Sequence, residues 1–136
     1  MNSNDTAVKK RILVVEDDVA LRKVLCDRLT DDGFEALEGQ DGEEGLAQAL
    51  AHHPDLIILD IYMPKMDGIT MLGKLRAADS WGKHVSVLVL TNSTDAQTIA
   101  TVTGFGSIDF LIKSEWGLEA LVARIRERIA TAGVVS

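Results

Sequence analysis

The sequence predicts an α/β domain built on a parallel sheet, and three observations carry that reading. Short β-branched runs alternate with longer segments of helical period, five pairs in all, which is how strand–helix–strand units are written. The runs are apolar on both faces, as strands covered by helices on both sides must be. Several of them end abruptly on a polar residue, and in such sheets ligands bind beyond the carboxyl ends of the strands, where the strand order reverses.

Ile12-Leu13-Val14-Val15 is the first strand and ends on Glu16-Asp17-Asp18. Leu21, Val24, Leu25 and Leu29 then recur at helical spacing, with Gly33 as the stop signal. Phe34 to Glu38 is a short, weakly apolar strand that offers no comparable polar end, as expected of an edge. Asp41-Gly42 opens a second helix in which Leu46, Ala49 and Leu50 share a face, and it closes near His52-His53-Pro54. The third strand, Leu56-Ile57-Ile58-Leu59, ends on Asp60 and is followed by the turn-forming stretch Ile61 to Gly68. Ile69, Leu72 and Leu75 mark the third helix, with Asp67 as its N-cap. Trp81 to His84 reads as a connecting loop before the fourth strand, Val85 to Leu90, which ends on Thr91. The fourth helix, about Thr94 to Thr103, is rich in threonine, and each β-branched residue gives up roughly half a kcal/mol against alanine, so this segment is expected to shift easily. Ile108 to Ile112 is the fifth strand and ends on Lys113; the last helix carries Leu118, Leu121, Val122, Ile125 and Ile129 on one stripe.

The 136 residues fit one domain, expected over 8–132 with flexible tails at 1–7 and 133–136. Cys26 is the only cysteine, which excludes an internal disulfide and a multi-cysteine zinc site; among Val24, Leu25 and Leu29 it reads as a small buried hydrophobe. Fourteen basic against 21 acidic residues leave a charge of −7, which argues against direct nucleic-acid binding and suits a site that holds a cation. Met1 to Ala7 lacks the features of a signal peptide, and no apolar stretch approaches the roughly 18 residues that span a bilayer, so a cytoplasmic location without membrane insertion is expected. His52, His53 and His84 show no ligand spacing.

The strand ends converge on one chemistry. Carboxylates brought together repel one another, and protonation or a bound cation relieves this. An oxygen-only set favours Mg²⁺, with Asp17 and Asp60 as direct ligands, Glu16 acting through water and the Tyr62 backbone carbonyl completing the protein set. Asp60 can then serve as a nucleophile toward phosphorus and form an aspartyl phosphate. Lys113 supplies positive charge for the phosphoryl oxygens and the Thr91 hydroxyl a hydrogen bond. Each residue also has a plainer use: Asp60 as a turn cap, Asp17 and Asp18 as helix caps, Thr91 as a strand residue, Lys113 as a solvated strand end. Their convergence in one sheet favours the site.

Val14-Val15-Glu16-Asp17-Asp18, Asp55 to Asp60 with Met63-Pro64 and Asp67-Gly68, Leu90-Thr91, and Phe110-Leu111-Ile112-Lys113 together resemble the receiver domain of bacterial response regulators, over about Lys10 to Ile129. The resemblance implies a flavodoxin-like, doubly wound sheet in the order 2-1-3-4-5 with five helices. It implies that Asp60 accepts a phosphoryl group from the phosphohistidine of a sensor histidine kinase or histidine phosphotransfer protein, with Glu16 and Asp17 as the acidic pair. Thr91 and Phe110 fall at the switch positions, which reshape a face made by the fourth helix, fifth strand and fifth helix for a downstream protein target. The expected function is a stand-alone switch that catalyses only its own phosphorylation and dephosphorylation, with a phosphorelay shuttle or phosphate sink as the alternative. A phosphorylation-independent interaction module and a magnesium phosphohydrolase stand further off; the haloacid dehalogenase pattern puts Asp-x-Asp after the first strand, and Glu16-Asp17-Asp18 does not fit it.

Several positions depart from the family pattern. Ser114 stands where the family usually has a proline preceded by a cis peptide; a cis bond before a non-proline costs about 3 kcal/mol, so a trans Lys113–Ser114 bond is expected. Asn92 is larger than the usual residue after the threonine, and Phe110 has no hydroxyl where many members carry tyrosine. Tyr62 is expected to screen the phosphoryl group partly from water. Trp116 either packs at the start of the last helix or anchors a partner.

Overall fold

Each of the first five helices starts at an aspartate whose carboxylate accepts the N–H three residues on, a cap worth about 1 kcal/mol. Asp18 accepts from Leu21 before α1 (Val19–Asp31), Asp41 from Glu44 before α2 (Gly42–His52), and Asp67 from Thr70 before α3 (Gly68–Ala78). Asp79 accepts from Gly82 before α4 (Ser80–His84), and Asp95 from Thr98 before α5 (Ala96–Thr103). The last helix is α6 (Leu118–Val134), which continues past position 132. This computed structural model describes residues 9–92, 95–115 and 117–134.

Between the helices lie β1 (Arg11–Val15), β2 (Glu35–Gly39), β3 (Leu56–Asp60), β4 (Ser86–Thr91) and β5 (Ile108–Ile112). They form one parallel sheet in the order β2-β1-β3-β4-β5, so the order reverses between β1 and β3. Strand alternation sorts the core into two layers. Leu13, Val15, Ile57, Leu59, Val87 and Val89 face Ala49 of α2, Met71, Leu72 and Leu75 of α3, and Val102 of α5. Ile12, Val14, Ile58, Leu88, Leu90 and Leu111 face Leu25, Cys26 and Leu29 of α1 and Leu121 and Ile125 of α6. Because both faces are covered, every residue from Leu56 to Asp60 is buried.

The sheet, its order and the five long helices agree with expectation. Among the described residues a sixth, short helix is added, because the stretch expected as a loop at Trp81 to His84 winds into α4. Asp79 is extended (φ −163°, ψ −178°), so it ends α3 and caps the next turn at once, its Oδ1 taking the Gly82 N–H at 2.6 Å. Trp81 packs on the core and stacks on His53, with ring centroids 4.2 Å apart. α5 begins at Ala96, later than expected, since Asp95 takes the cap; Thr94 lies outside the described residues.

Val24 and Leu50, both expected on inward faces, are 49% and 37% exposed. The inward line of α1 runs Leu21, Leu25, Leu29, and Val24 is turned off it to flank an apolar groove between α1 and α6 lined by Leu21, Leu25, Leu118 and Leu121. In α2 Leu46 and Ala49 hold the inward line and Leu50 falls on its flank. Cys26 is buried as expected, and burial first, then the nearby Glu38 charge, push its thiol up to about 11, which leaves it unreactive at neutral pH. Among the described residues no peptide bond is cis, so Lys113–Ser114 is trans, and Lys113–Glu115 forms a single 3₁₀ turn. No helix among the described residues is long and apolar enough to cross a membrane.

Candidate functional site

The register levels the strand ends. Val15 pairs with Leu59, so Glu16 and Asp60 emerge side by side, and Asp60 pairs with Leu90, one residue before Thr91. Thr91 in turn pairs with Ile112, one residue before Lys113. All four strand ends therefore meet at the carboxyl edge, beside the point where the strand order reverses.

Alternation then divides these residues between the two faces. Glu16, Asp60 and Lys113 follow the parity of Val14, Ile58 and Leu111, the layer of α1 and α6. Thr91 and Phe110 follow the parity of Val87 and Val89, the layer of α2, α3 and α5, and Phe110 packs there. The charged groups are on one side of the sheet, and Thr91 and Phe110 on the other.

Lys113 Nζ lies 2.7 Å from Glu16 Oε1 and 3.4 Å from Asp60 Oδ2. Glu16 is 3% exposed, Asp60 8% and Thr91 wholly buried, whereas Asp17 is exposed. One oxygen from each of Glu16, Asp17 and Asp60 lies within 4.8 Å of the others. This oxygen-only donor set, open on the Asp17 side, fits Mg²⁺, which keeps several waters and takes one or two carboxylates from a protein. Tyr62, two residues after Asp60, is 59% exposed, and Asn92 and Ser114, which follow Thr91 and Lys113, are exposed as well.

Burial raises the Glu16 and Asp60 carboxyls above their ordinary values of 4.5 and 3.8, and Lys113 opposes this without overcoming it. Burial pulls the Lys113 ammonium down, but Glu16 and Asp60 outweigh it and hold it above its ordinary value. A carboxyl raised by folding stabilises the fold when protonated, and that contribution is lost as pH rises through the raised value. The two buried carboxylates are therefore destabilising at neutral pH when no metal ion is bound. Asp60→Asn is expected to raise the unfolding temperature by a few degrees at pH 8 in chelator, and the difference from wild type should shrink as pH falls through the raised value of Asp60. Thermal unfolding of both proteins across that range tests it; a variant less stable than wild type at pH 8 contradicts the sign.

The loop after β3 is held from both ends. Gly68 N–H donates to Ile61 O at 2.7 Å, and a side chain at Gly68 would press on the Asp60 carbonyl. Gly42 N–H donates to Met66 O at 3.0 Å, and a side chain there would collide with that carbonyl. Lys65 turns the loop with φ +66°. Of these groups Arg22 alone carries no mark in the sequence as part of the site; Gly42 is legible as a helix opening, but not as the anchor of the loop after β3. Arg22 donates from Nη1 to Glu16 O at 2.7 Å and from Nε to Glu38 Oε1 at 3.0 Å. The signal was its place one turn beyond the Asp18 cap, but its acceptor is a backbone carbonyl, which no residue type announces. Trp116 lies outside the described residues.

Residues 12–126 match the family model described as the response regulator receiver domain. Among curated proteins the chain is similar to the probable transcriptional regulator ycf27 of Cyanophora paradoxa, 36% identical over 118 residues, covering 87% of this chain and 47% of that protein. It is also similar to the transcriptional regulatory protein PdtaR of Mycobacterium tuberculosis, 31% identical over 139 residues, covering 97% of this chain and 66% of that protein. The chain thus spans about half to two-thirds of the length of these relatives. Among solved structures, the chemotaxis response regulator CheY4 of Vibrio cholerae superposes with a TM-score of 0.80 at 28% identity, covering 89% of this chain and 99% of that one. A CheY-like receiver domain protein of Methanospirillum hungatei reaches 0.85 at 23% identity over 93% and 98% of the two chains, a likeness of fold.

Proposed function

Since this chain belongs to the response regulator receiver domain family of two-component signalling, we propose that it is a phosphorylation-dependent switch in which Asp60 accepts a phosphoryl group from a phosphohistidine. The observation that carries this reading is the grouping of Glu16, Asp17 and Asp60 around Lys113, with Lys113 0.7 Å nearer to Glu16 (2.7 Å) than to Asp60 (3.4 Å). A carboxylate offers about four lone-pair sites on two oxygens, so the Lys113 contact leaves Asp60 able to attack while holding the cation beside it.

An Asp60 oxygen forms the bond to phosphorus in line as the phosphorus–nitrogen bond of the donor histidine breaks, and the leaving imidazole keeps that electron pair. Lys113 offsets charge on the transferred phosphoryl oxygens, and the Thr91 hydroxyl donates to one of them. Asp17, Asp60 and the Tyr62 carbonyl would hold Mg²⁺, with Glu16 acting through water, and the ion supplies further charge neutralisation when bound. The exposed residue Tyr62 limits the approach of water to the product.

Signal output in this reading crosses the sheet. The phosphoryl group forms beside the α1 and α6 layer, while Thr91 and Phe110 belong to the layer of α5. Drawing the Thr91 hydroxyl toward the phosphoryl group empties space that Phe110 enters, which alters the face of α5, β5 and α6 offered to a protein target. The helix on that face is short, eight residues, and its Thr101 and Thr103 hydroxyls bond back to helix carbonyls, which weakens the helix.

Incubation with acetyl phosphate and Mg²⁺ should add the mass of one phosphoryl group to the wild type and none to Asp60→Asn. An unmodified wild type, or a modified Asn variant, refutes the assignment of Asp60.

A further inference from the structure

We propose that Arg22 is a positioning residue for the acidic cluster, acting by gripping the Glu16–Asp17 peptide; this rests on the reading of that cluster as a Mg²⁺ site. Asp17 is the most exposed of the three carboxylates, and its side chain has no hydrogen-bond partner among the described residues. Its placement therefore depends on the backbone that carries it.

That backbone is held on both sides of residue 16. Glu16 N–H donates to Gly39 O at 3.0 Å, at the end of β2. The Glu16 carbonyl, which belongs to the peptide leading into Asp17, takes Arg22 Nη1 at 2.7 Å. Arg22 is itself anchored: its Nε reaches Glu38, the residue before Gly39, and its side chain is only 13% exposed against 55% for Glu38. The planar guanidinium therefore ties α1 to the end of β2 with the peptide between them, a two-pronged geometry that an ammonium cannot reproduce. The Glu16 side chain adds a further hold, its Oε2 accepting the Asp18 N–H at 3.1 Å. The site thus sits on a peptide whose plane Arg22 holds, and holding that plane limits the positions the Asp17 carboxylate can take.

The sign of the effect separates this role from a plain charge effect. Removing a cation close to a Mg²⁺ site, with nothing else changed, tightens Mg²⁺ binding. Removing a positioning residue weakens it, as groups behind metal ligands do, by about tenfold or more.

Calorimetric titration of the full chain with Mg²⁺ alone should show this for Arg22→Met, which keeps the packing stem, at about one tenth of the wild-type affinity. Arg22→Lys, with the charge but not the fork, should also bind more weakly than wild type. In phosphorylation by acetyl phosphate, the Mg²⁺ concentration for half-maximal rate should rise in Arg22→Met while the rate at saturating Mg²⁺ stays at the wild-type value, a split that general structural damage does not produce. Wild-type or tighter Mg²⁺ affinity in either Arg22 variant, or a lowered plateau with an unchanged midpoint, overturns the proposal. Asp17→Asn separates the two levels: if it too binds Mg²⁺ like the wild type, the metal site itself has been misassigned, whereas loss in Asp17→Asn with none in Arg22→Met removes Arg22 alone.

Discussion

Lys113→Ala is expected to slow phosphoryl transfer to Asp60 by a factor of about 100 or more at saturating Mg²⁺, the scale of losing one preorganised charge at a developing oxyanion. The reason is geometric. Lys113 is the one cation whose ammonium reaches the Asp60 carboxylate among the described residues, and it does so from the end of β5, across the end of β4. The same change should also lower stability at neutral pH, by about 2 kcal/mol, because Glu16 and Asp60 stay buried without their shared partner. With the ammonium gone both carboxyls rise further, so this loss is largest above their folded values and fades as pH falls through them. Lys113's own contribution runs the other way along the scale: its raised value means stability present at neutral pH and lost only on the alkaline side. The double variant Lys113→Ala, Asp60→Asn should regain much of the stability and none of the transfer, a coupling that a double-mutant cycle reads directly. Transfer in Lys113→Ala within a few-fold of wild type would remove the lysine from the chemistry.

Arg76→Ala is expected to cost about 3 kcal/mol of stability, far from the site. On α3, Arg76 donates to Gly82 O and Val85 O, both at 2.8 Å, to Phe105 O at 3.1 Å and to Gly106 O at 2.6 Å. One guanidinium thus satisfies carbonyls at the end of α4 and in the turn from α5 into β5. Burial lowers its value, but a guanidinium stays charged wherever the protein is folded. Truncation leaves these acceptors short of donors in a partly buried pocket, each at about 1 kcal/mol. A loss of about 10 °C in unfolding temperature follows for a chain of this size, and amide exchange should accelerate first in residues 104–108. Arg76→Lys should recover less than half, since one ammonium cannot span four acceptors. A loss under about 1 kcal/mol in the alanine variant would mean that water replaces the guanidinium freely.

Both predictions concern side chains with very different legibility. Lys113 was readable because a charged residue directly after an apolar run is a local pattern, and the same holds for Asp60, Thr91 and the Glu16-Asp17 pair. The aspartate caps were readable in part for the same reason, as Asp67 and Asp41 stand directly before periodic segments. Asp79 is not legible as a cap, since α4 is too short to show a period, and without a visible cap Trp81 to His84 reads as a loop. Arg76 could be seen only as a basic residue in the last turn of α3, and Arg22 only as a charged residue on the first helix.

The one-dimensional pattern was therefore enough for the sheet, its covered faces and the residue types at its carboxyl edge, because burial on two faces and a polar stop are written in consecutive residues. The folded chain was needed to set Glu16 level with Asp60, to put Thr91 and Phe110 on the opposite face from the charges, and to direct Arg22 and Arg76 to their acceptors. Those acceptors are backbone carbonyls, which every residue carries, so no residue type marks them and only the packing of one element on another selects which are met.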